Sequence, residues 1–102
     1  MLNIKKTVEN GKAAFALEGR LDTVTAPDLE KEIMGSIDGV NELALDFAGL
    51  DYISSAGLRV LLAAQKIMKP KGGMTVTNVN DSIMDVFEVT GFSEILTIVR
   101  AE

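Results

Sequence analysis

Two adjacent serines, Ser54 and Ser55, are the residues of this sequence best placed to carry chemistry. They follow an apolar stretch that ends in Asp51-Tyr52-Ile53 and precede a helical pattern that begins at Ser55. Hydroxyl side chains at the start of a helix cap its free backbone N–H groups. The same position favours a phosphate, because the N–H groups and the helix dipole both attract negative charge. The local pattern therefore leaves two interpretations open, helix capping and phosphate acceptance.

The amino-acid composition weighs against a catalytic role for these serines. The chain of 102 residues contains no His and no Cys, so a serine nucleophile would lack an imidazole base, and imidazole or thiolate metal sites cannot form. Lys66, Lys69 and Lys71 lie at the far end of the predicted helix, too distant to replace that base. Glycine-rich phosphate-binding motifs are also absent from the sequence. A hydrolytic enzyme that uses Asp and Glu alone stays open, but we expect a chain that is not an enzyme, with no cofactor and no metal.

Three aspartates could gather near the serines, namely Asp22, Asp46 and Asp51. Magnesium on carboxylates is chemically open to such a group. The favoured interpretation is that each side chain organises its loop by accepting backbone N–H bonds, or is solvated. Arg59, one turn into the helix, is interpreted as a solvated side chain. A phosphate added to this acidic surface would penalise an acidic or tightly packed partner, so phosphate acceptance predicts a regulated protein–protein contact.

Hydrophobic periodicity and turn residues predict the element order ββ-α-β-α-β-α-β. This order predicts an α/β fold, a mixed sheet of about five strands flanked by three to four helices, with a β-hairpin at Asn10-Gly11. Residues 19–27 are predicted to form a loop, and residues 48–51 a turn. Carboxyl ends of parallel strands share one edge of a sheet, so we expect the serines at that edge. The predicted strands are 2–9, 12–17, 42–47 and 74–79 with a last strand ending at 99; the predicted helices are 27–34, 55–68 and 82–90.

Size and charge place the chain in a broad class. A hydrophobic fraction of 47% and a charged fraction of 25% are typical of one globular domain, which we expect to span residues 1–102. No apolar run reaches the ~20 residues that span a membrane, and no signal peptide is visible, so we expect a cytoplasmic protein without a membrane partner. The net charge of −5 weighs against direct contact with nucleic acid.

Three stretches, read together, resemble one family. The run Tyr52-Ile53-Ser54-Ser55-Ala56-Gly57-Leu58-Arg59-Val60-Leu61-Leu62 resembles the signature of the STAS domain in the anti-sigma factor antagonist family. Residues 19–27 resemble that family's first characteristic loop, and residues 78–92 resemble its C-terminal helix and turn. The resemblance covers nearly the whole chain in the right order. It implies a mixed sheet flanked by helices, which agrees with the predicted element order.

The resemblance also implies a mechanism, partner switching. The unphosphorylated antagonist would bind an anti-sigma factor that is also a serine kinase of the histidine-kinase-like ATPase fold, and would thereby release a sigma factor. Phosphorylation by that kinase would end the binding, and a PP2C-type phosphatase would restore it. The alternative is a STAS module without phosphorylation, either a scaffold or an accessory subunit of a transport complex. An intact serine in the turn favours the first.

The family motif commonly reads Asp-Ser, then Ser, Thr or Ala, then Gly. Ser55-Ala56-Gly57 matches its Ser-x-Gly part, so the resemblance implies that Ser55 is the phosphate acceptor. Ser54 stands where many members have Asp and is the alternative acceptor, although it is also expected to be the cap. The residue one position later cannot accept the phosphate, because it is Ala56 and has no hydroxyl. The partner-binding residues implied by the resemblance are Asp22, Thr23, Ser54, Ser55, Ala56, Gly57, Arg59.

Overall fold

Five strands form one mixed sheet in the computed structural model, which describes residues 1–101. The strands are hydrogen-bonded in chain order, β1-β2-β3-β4-β5. Strands β1 and β2 are antiparallel, and every later pair is parallel. The predicted α/β fold with an N-terminal hairpin is therefore confirmed. The strand bounds are β1 Leu2–Glu9, β2 Lys12–Leu21, β3 Glu42–Ile53, β4 Met74–Val79 and β5 Thr97–Arg100.

Three α-helices connect the parallel strands: α1 Ala26–Ser36, α2 Ser55–Met68 and α3 Asp81–Thr90, with a short 3-10 turn at Phe92–Glu94. Alternate residues of the central strands are buried, for example Phe15 and Leu17 in β2, whereas Ala16 between them is exposed. One face of the sheet therefore carries the core, and the helices cover that face. None of the helices formed by residues 1–101 combines the length and apolar character needed to cross a membrane.

The hairpin and two of the predicted elements have the predicted bounds. Asn10 and Gly11 adopt positive φ angles of 51° and 79°, as a tight two-residue hairpin turn requires. Helix α2 and strand β4 begin and end where the sequence predicts. Helix α1 is longer than predicted, from Ala26 to Ser36.

The predicted ends of β2 and β3 are wrong. Residues 19–21 continue strand β2, although they were expected in the loop that follows. Residues 48–51 continue strand β3, although they were expected to form a turn. The reason is parallel pairing between the two strands, with Glu18 opposite Gly49 and Leu21 opposite Ile53. The pairing has two irregularities in register near Gly19 and Gly49, and both strands continue past these glycines.

Candidate functional site

The site forms where strands β2 and β3 end side by side. Leu21 lies opposite Ile53, and the backbone N–H of Ser54 donates to the carbonyl oxygen of Leu21 at 2.9 Å. This bond fixes the first residues of α2 against the end of β2. The loop between β2 and α1 therefore lies beside the serines, as the sheet-edge argument predicts.

Ser54 is the N-cap of helix α2. Its backbone is extended, with φ −100° and ψ 176°, and its side chain accepts a hydrogen bond from the N–H of Gly57. The donor–acceptor distance is 3.4 Å, so the bond is weak. The first helical bond runs from the N–H of Leu58 to the carbonyl oxygen of Ser54 at 3.0 Å. The predicted capping role of Ser54 is confirmed.

Ser55 is the first residue of α2, and its side chain is exposed, whereas Ser54 is half-buried. Within residues 1–101, no hydrogen bond involves the Ser55 hydroxyl. The N–H groups of Ser55 and Ala56 precede the first helical hydrogen bond and have no acceptor in the helix. Ser55 therefore presents an accessible hydroxyl next to backbone N–H groups that find no acceptor among residues 1–101.

Gly57 is buried, and its position explains the glycine. A Cβ atom there would lie 2.8 Å from Cγ of Leu21 and 2.9 Å from Cγ1 of Ile53. Both side chains belong to the core. The close approach that Gly57 permits is thus that of α2 to strands β2 and β3.

Asp22 organises the loop between β2 and α1. Its Oδ1 accepts hydrogen bonds from the N–H of Val24 at 3.1 Å and from the N–H of Thr25 at 3.0 Å. The Thr25 amide is the main reason that the pKa of Asp22 lies below its usual value, and the Val24 amide acts in the same direction. The predicted loop-organising role is confirmed for this aspartate.

Thr25 occupies the predicted N-cap position of α1 but makes no capping bond with its side chain. Its hydroxyl oxygen lies 2.8 Å from the carbonyl oxygen of Arg20, to which it donates, and accepts from the N–H of Asp22 at 2.9 Å. These bonds close the loop on itself. As a result Thr23 and Val24 are held outward, with Val24 81% exposed.

Arg20 and Tyr52 lie opposite each other at the ends of β2 and β3. The Arg20 guanidinium carbon lies 4.2 Å from the centre of the Tyr52 ring. Its Nε lies 3.8 Å from Oδ2 of Asp22. Sequence reasoning did not include Arg20 or Tyr52 in the site, because only the register of two distant strands brings them together.

A shallow groove of about 200 Å³ lies between the first turns of α1 and α2. Three of the predicted partner-binding residues, Thr23, Ala56 and Arg59, line it together with Glu30 of α1. Arg59 is exposed, as its interpretation as a solvated side chain predicts. The structure thus places Asp22, Thr23, Ser54, Ser55, Ala56 and Arg59 on one continuous edge and Gly57 beneath it.

The other two aspartates do not form a site with Asp22. Oδ1 of Asp46 accepts from the N–H of Ala48 and from Nδ2 of Asn78, both at 2.9 Å. Asp46 thus organises backbone, as predicted, and Asp51 is exposed. In the part of the chain that the structure describes, no group of three or more acidic side chains has metal-binding geometry.

Asn80, which follows β4, is a structural residue that sequence reasoning assigned only to the start of a helix. Its Oδ1 accepts from the N–H of Ile83 at 2.9 Å, and its Nδ2 donates to the carbonyl oxygen of Leu50 at 3.1 Å. One side chain therefore caps α3 and ties it to strand β3. The capping function is visible in the sequence, but the tie to Leu50 is not.

Residues 3–102 match the family model of the STAS domain. The chain is 34% identical over 94 residues to BtrV of Bordetella bronchiseptica, which carries the name anti-sigma factor antagonist; the match covers 90% of this chain and 81% of that protein. It is 25% identical over 83 residues to the anti-sigma-B factor antagonist of Bacillus subtilis, covering 80% of this chain and 76% of that protein.

Solved structures share this fold. An anti-sigma factor antagonist from Mycobacterium paratuberculosis superposes with a TM-score of 0.88 at 22% identity, covering 97% of this chain and 86% of that chain. The Bacillus protein SpoIIAA in its phosphorylated form superposes with a TM-score of 0.73 at 18% identity, covering 96% of this chain and 90% of that chain. At these identities the likeness establishes the fold.

Proposed function

Because the chain belongs to the STAS domain family, we propose that it is an anti-sigma factor antagonist whose binding to its partner is switched by phosphorylation of Ser55. Anti-sigma factor antagonists of this family are regulators that are not enzymes, and the sequence of this chain contains no His and no Cys. The names of BtrV and of the Bacillus subtilis relative support the antagonist assignment.

The difference between the two serines carries the proposal. Ser54 is half-buried and its hydroxyl caps the helix, whereas Ser55 is exposed and its hydroxyl makes no hydrogen bond within residues 1–101. A kinase must reach the acceptor oxygen, so Ser55 is the accessible acceptor. That SpoIIAA has been solved in both an unphosphorylated and a phosphorylated form supports the same step in this fold.

The unphosphorylated chain binds its partner through this edge. The partner is an anti-sigma factor with serine kinase activity and the histidine-kinase-like ATPase fold. Docking uses Asp22, Thr23, Ala56 and Arg59 around the two serines. Phosphorylation adds up to about two negative charges and three acceptor oxygens at the centre of this edge. A loss of about 2.8 kcal/mol in binding free energy weakens the complex a hundredfold. A PP2C-type phosphatase then returns the chain to its binding form.

The test is a pull-down from source cells with four baits: the wild-type chain, Ser55→Ala, Ser55→Asp and Ser54→Ala. Wild type, Ser55→Ala and Ser54→Ala are expected to capture the same ATPase, and Ser55→Asp is expected to lose it. Incubation of the captured ATPase with ATP is expected to place one phosphate on Ser55, mapped by mass spectrometry.

Three results would overturn the proposal. The first is label on Ser54 with none on Ser55. The second is Ser55→Asp binding as tightly as wild type, which would exclude charge as the signal. The third is capture of transporter subunits by all four baits with no phosphate transfer, which would identify a scaffold or an accessory subunit. Thermal melting of each variant separates a binding defect from a folding defect.

A further inference from the structure

Ser55 and Arg59 lie one helical turn apart on α2, at positions i and i+4. Four residues of α-helix rise about 6 Å and bring the two side chains to within about 40° of the same face. Both side chains are exposed. Long helical side chains lean toward the N-terminus of their helix, so the Arg59 side chain is able to reach back over the turn that contains Ser55.

Arg59 is the uncommitted cation at this edge. Within residues 1–101, no ion pair or cation–π contact involves Arg59. Arg20, the other arginine of the site, is held by the Tyr52 ring and by the carboxylate of Asp22. Lys31 lies on the other side of α1, beside strand β1.

We propose that Arg59 is the intramolecular partner of the phosphate on Ser55. This inference rests on the proposed function, because it concerns the phosphorylated state. An anion N-terminal to a cation at i+4 is the favourable order on a helix. The guanidinium fork can donate two parallel N–H bonds to phosphate oxygens, which an ammonium cannot do.

The pairing changes the docking surface in a second way, beyond the added charge. In the unphosphorylated chain, Arg59 lines the groove between α1 and α2 together with Glu30. When its guanidinium turns to the phosphate, it leaves the groove, where the carboxylate of Glu30 remains. Phosphorylation thus removes a positive group from the partner's binding site while it introduces a negative one.

The test installs phosphoserine at position 55 during translation, so that no kinase is needed, and follows the phosphate by ³¹P NMR as pH is varied. Pairing with Arg59 favours the dianion and lowers its second pKa, which is about 6 without a partner. The wild-type value is expected to lie about 0.15 to 0.4 pH unit below that of Arg59→Gln. Arg59→Lys is expected to fall between them.

Arg20→Gln is the matched control, because it removes one positive charge from the same edge. It is expected to leave the phosphate pKa close to the wild-type value. Every variant keeps the acidic neighbours Asp22, Glu30 and Asp51. A difference in phosphate pKa between variants therefore reports the effect of one guanidinium. The wild-type shift is also expected to shrink in about 1 M salt, where screening is strong.

Equal phosphate pKa values in wild type and Arg59→Gln would overturn the proposal. A shift produced by Arg20→Gln and not by Arg59→Gln would assign the phosphate to Arg20 and overturn it as well. Helix content by circular dichroism identifies a variant that has unfolded, and Arg59→Lys then serves in place of Arg59→Gln. Binding of the same phosphorylated chain to the captured ATPase distinguishes two failures: retained binding refutes the proposed switch, whereas an unshifted pKa refutes the Arg59 pairing.

Discussion

Substitution of Gly57 by Ala sets two effects against each other at the centre of the site. Gly57 has no positive φ, so Ala is free to adopt its helical conformation. In an exposed helix this change stabilises by about 1 kcal/mol. At Gly57, however, the new Cβ would lie 2.8 Å from Cγ of Leu21, 2.9 Å from Cγ1 of Ile53 and 3.0 Å from Cδ2 of Leu21.

At Gly57 the close contacts of the new Cβ outweigh the gain in helix propensity. Cγ of Leu21 and Cγ1 of Ile53 are inner atoms of side chains that are 0% and 4% exposed, so neither can move aside as a flexible tip would. Carbon atoms pack at about 3.5 to 4.0 Å, so α2 must move away from the sheet by up to about 1 Å. Overpacking of this kind costs about 1–3 kcal/mol. After the gain in helix propensity is subtracted, we expect a net loss of up to about 2 kcal/mol in the free energy of unfolding.

Urea unfolding of Gly57→Ala and Gly35→Ala checks this reasoning. Gly35 lies in α1, also without a positive φ, and nothing lies within 4 Å of a Cβ placed there. Gly35→Ala should therefore be stabilised, by up to about 1 kcal/mol, while Gly57→Ala is destabilised and melts several degrees lower. If both variants are more stable than wild type, helix propensity exceeds the contact with β2 and β3, and the packing explanation for Gly57 is refuted.

Two further predictions concern the side chains that shape the site. Replacing Asp22 by Asn should lower the melting temperature at neutral pH. Because the pKa of Asp22 is lowered in the folded state, its carboxylate stabilises the fold above the ordinary carboxyl pKa, and this stabilisation is lost as pH falls through the folded pKa. The difference in melting temperature between Asp22→Asn and wild type should therefore shrink below about pH 4. A difference that is constant with pH would contradict this. Alanine substitutions should rank Asn80 above Ser54 above Ser55 in destabilisation, since Asn80 makes two bonds, Ser54 one long bond and Ser55 none within residues 1–101. Typical cap losses of about 0.5–2 kcal/mol make this order measurable by urea unfolding, and a larger loss at Ser55 than at Ser54 would contradict it.

Local chemistry was sufficient to predict most elements of this fold. The hairpin at Asn10-Gly11, the start of α2 at the serines and its end before Gly72-Gly73 follow from turn, cap and stop residues that act on their own neighbours. The same reasoning ended β2 and β3 too early, because Gly19 and Gly49 are typical of loops. Only the parallel pairing of these strands, from distant parts of the chain, keeps both glycines inside the sheet.

In the site too, roles that depend on neighbouring residues were predictable, and contacts between distant segments were not. The capping role of Ser54 and the loop-organising role of Asp22 were predictable, since each depends on backbone within three residues. The contact of Arg20 with Tyr52 and the burial of Gly57 against Leu21 depend on the register of strand pairs, which no local pattern contains.

The packing beneath the serines bears on how a phosphate at Ser55 would act. Ser55 is exposed, while Gly57 of the same turn is buried against the ends of β2 and β3 and Leu58 is part of the core. A phosphate at the first turn of a helix stabilises that helix by up to about 1 kcal/mol, and pairing with Arg59 adds to this. The modification would therefore favour the folded form, so under the proposed switch a loss of partner binding would not arise from unfolding of the site. It would arise at the interface itself, where the charge of the phosphate and the withdrawal of Arg59 would both make the edge more negative.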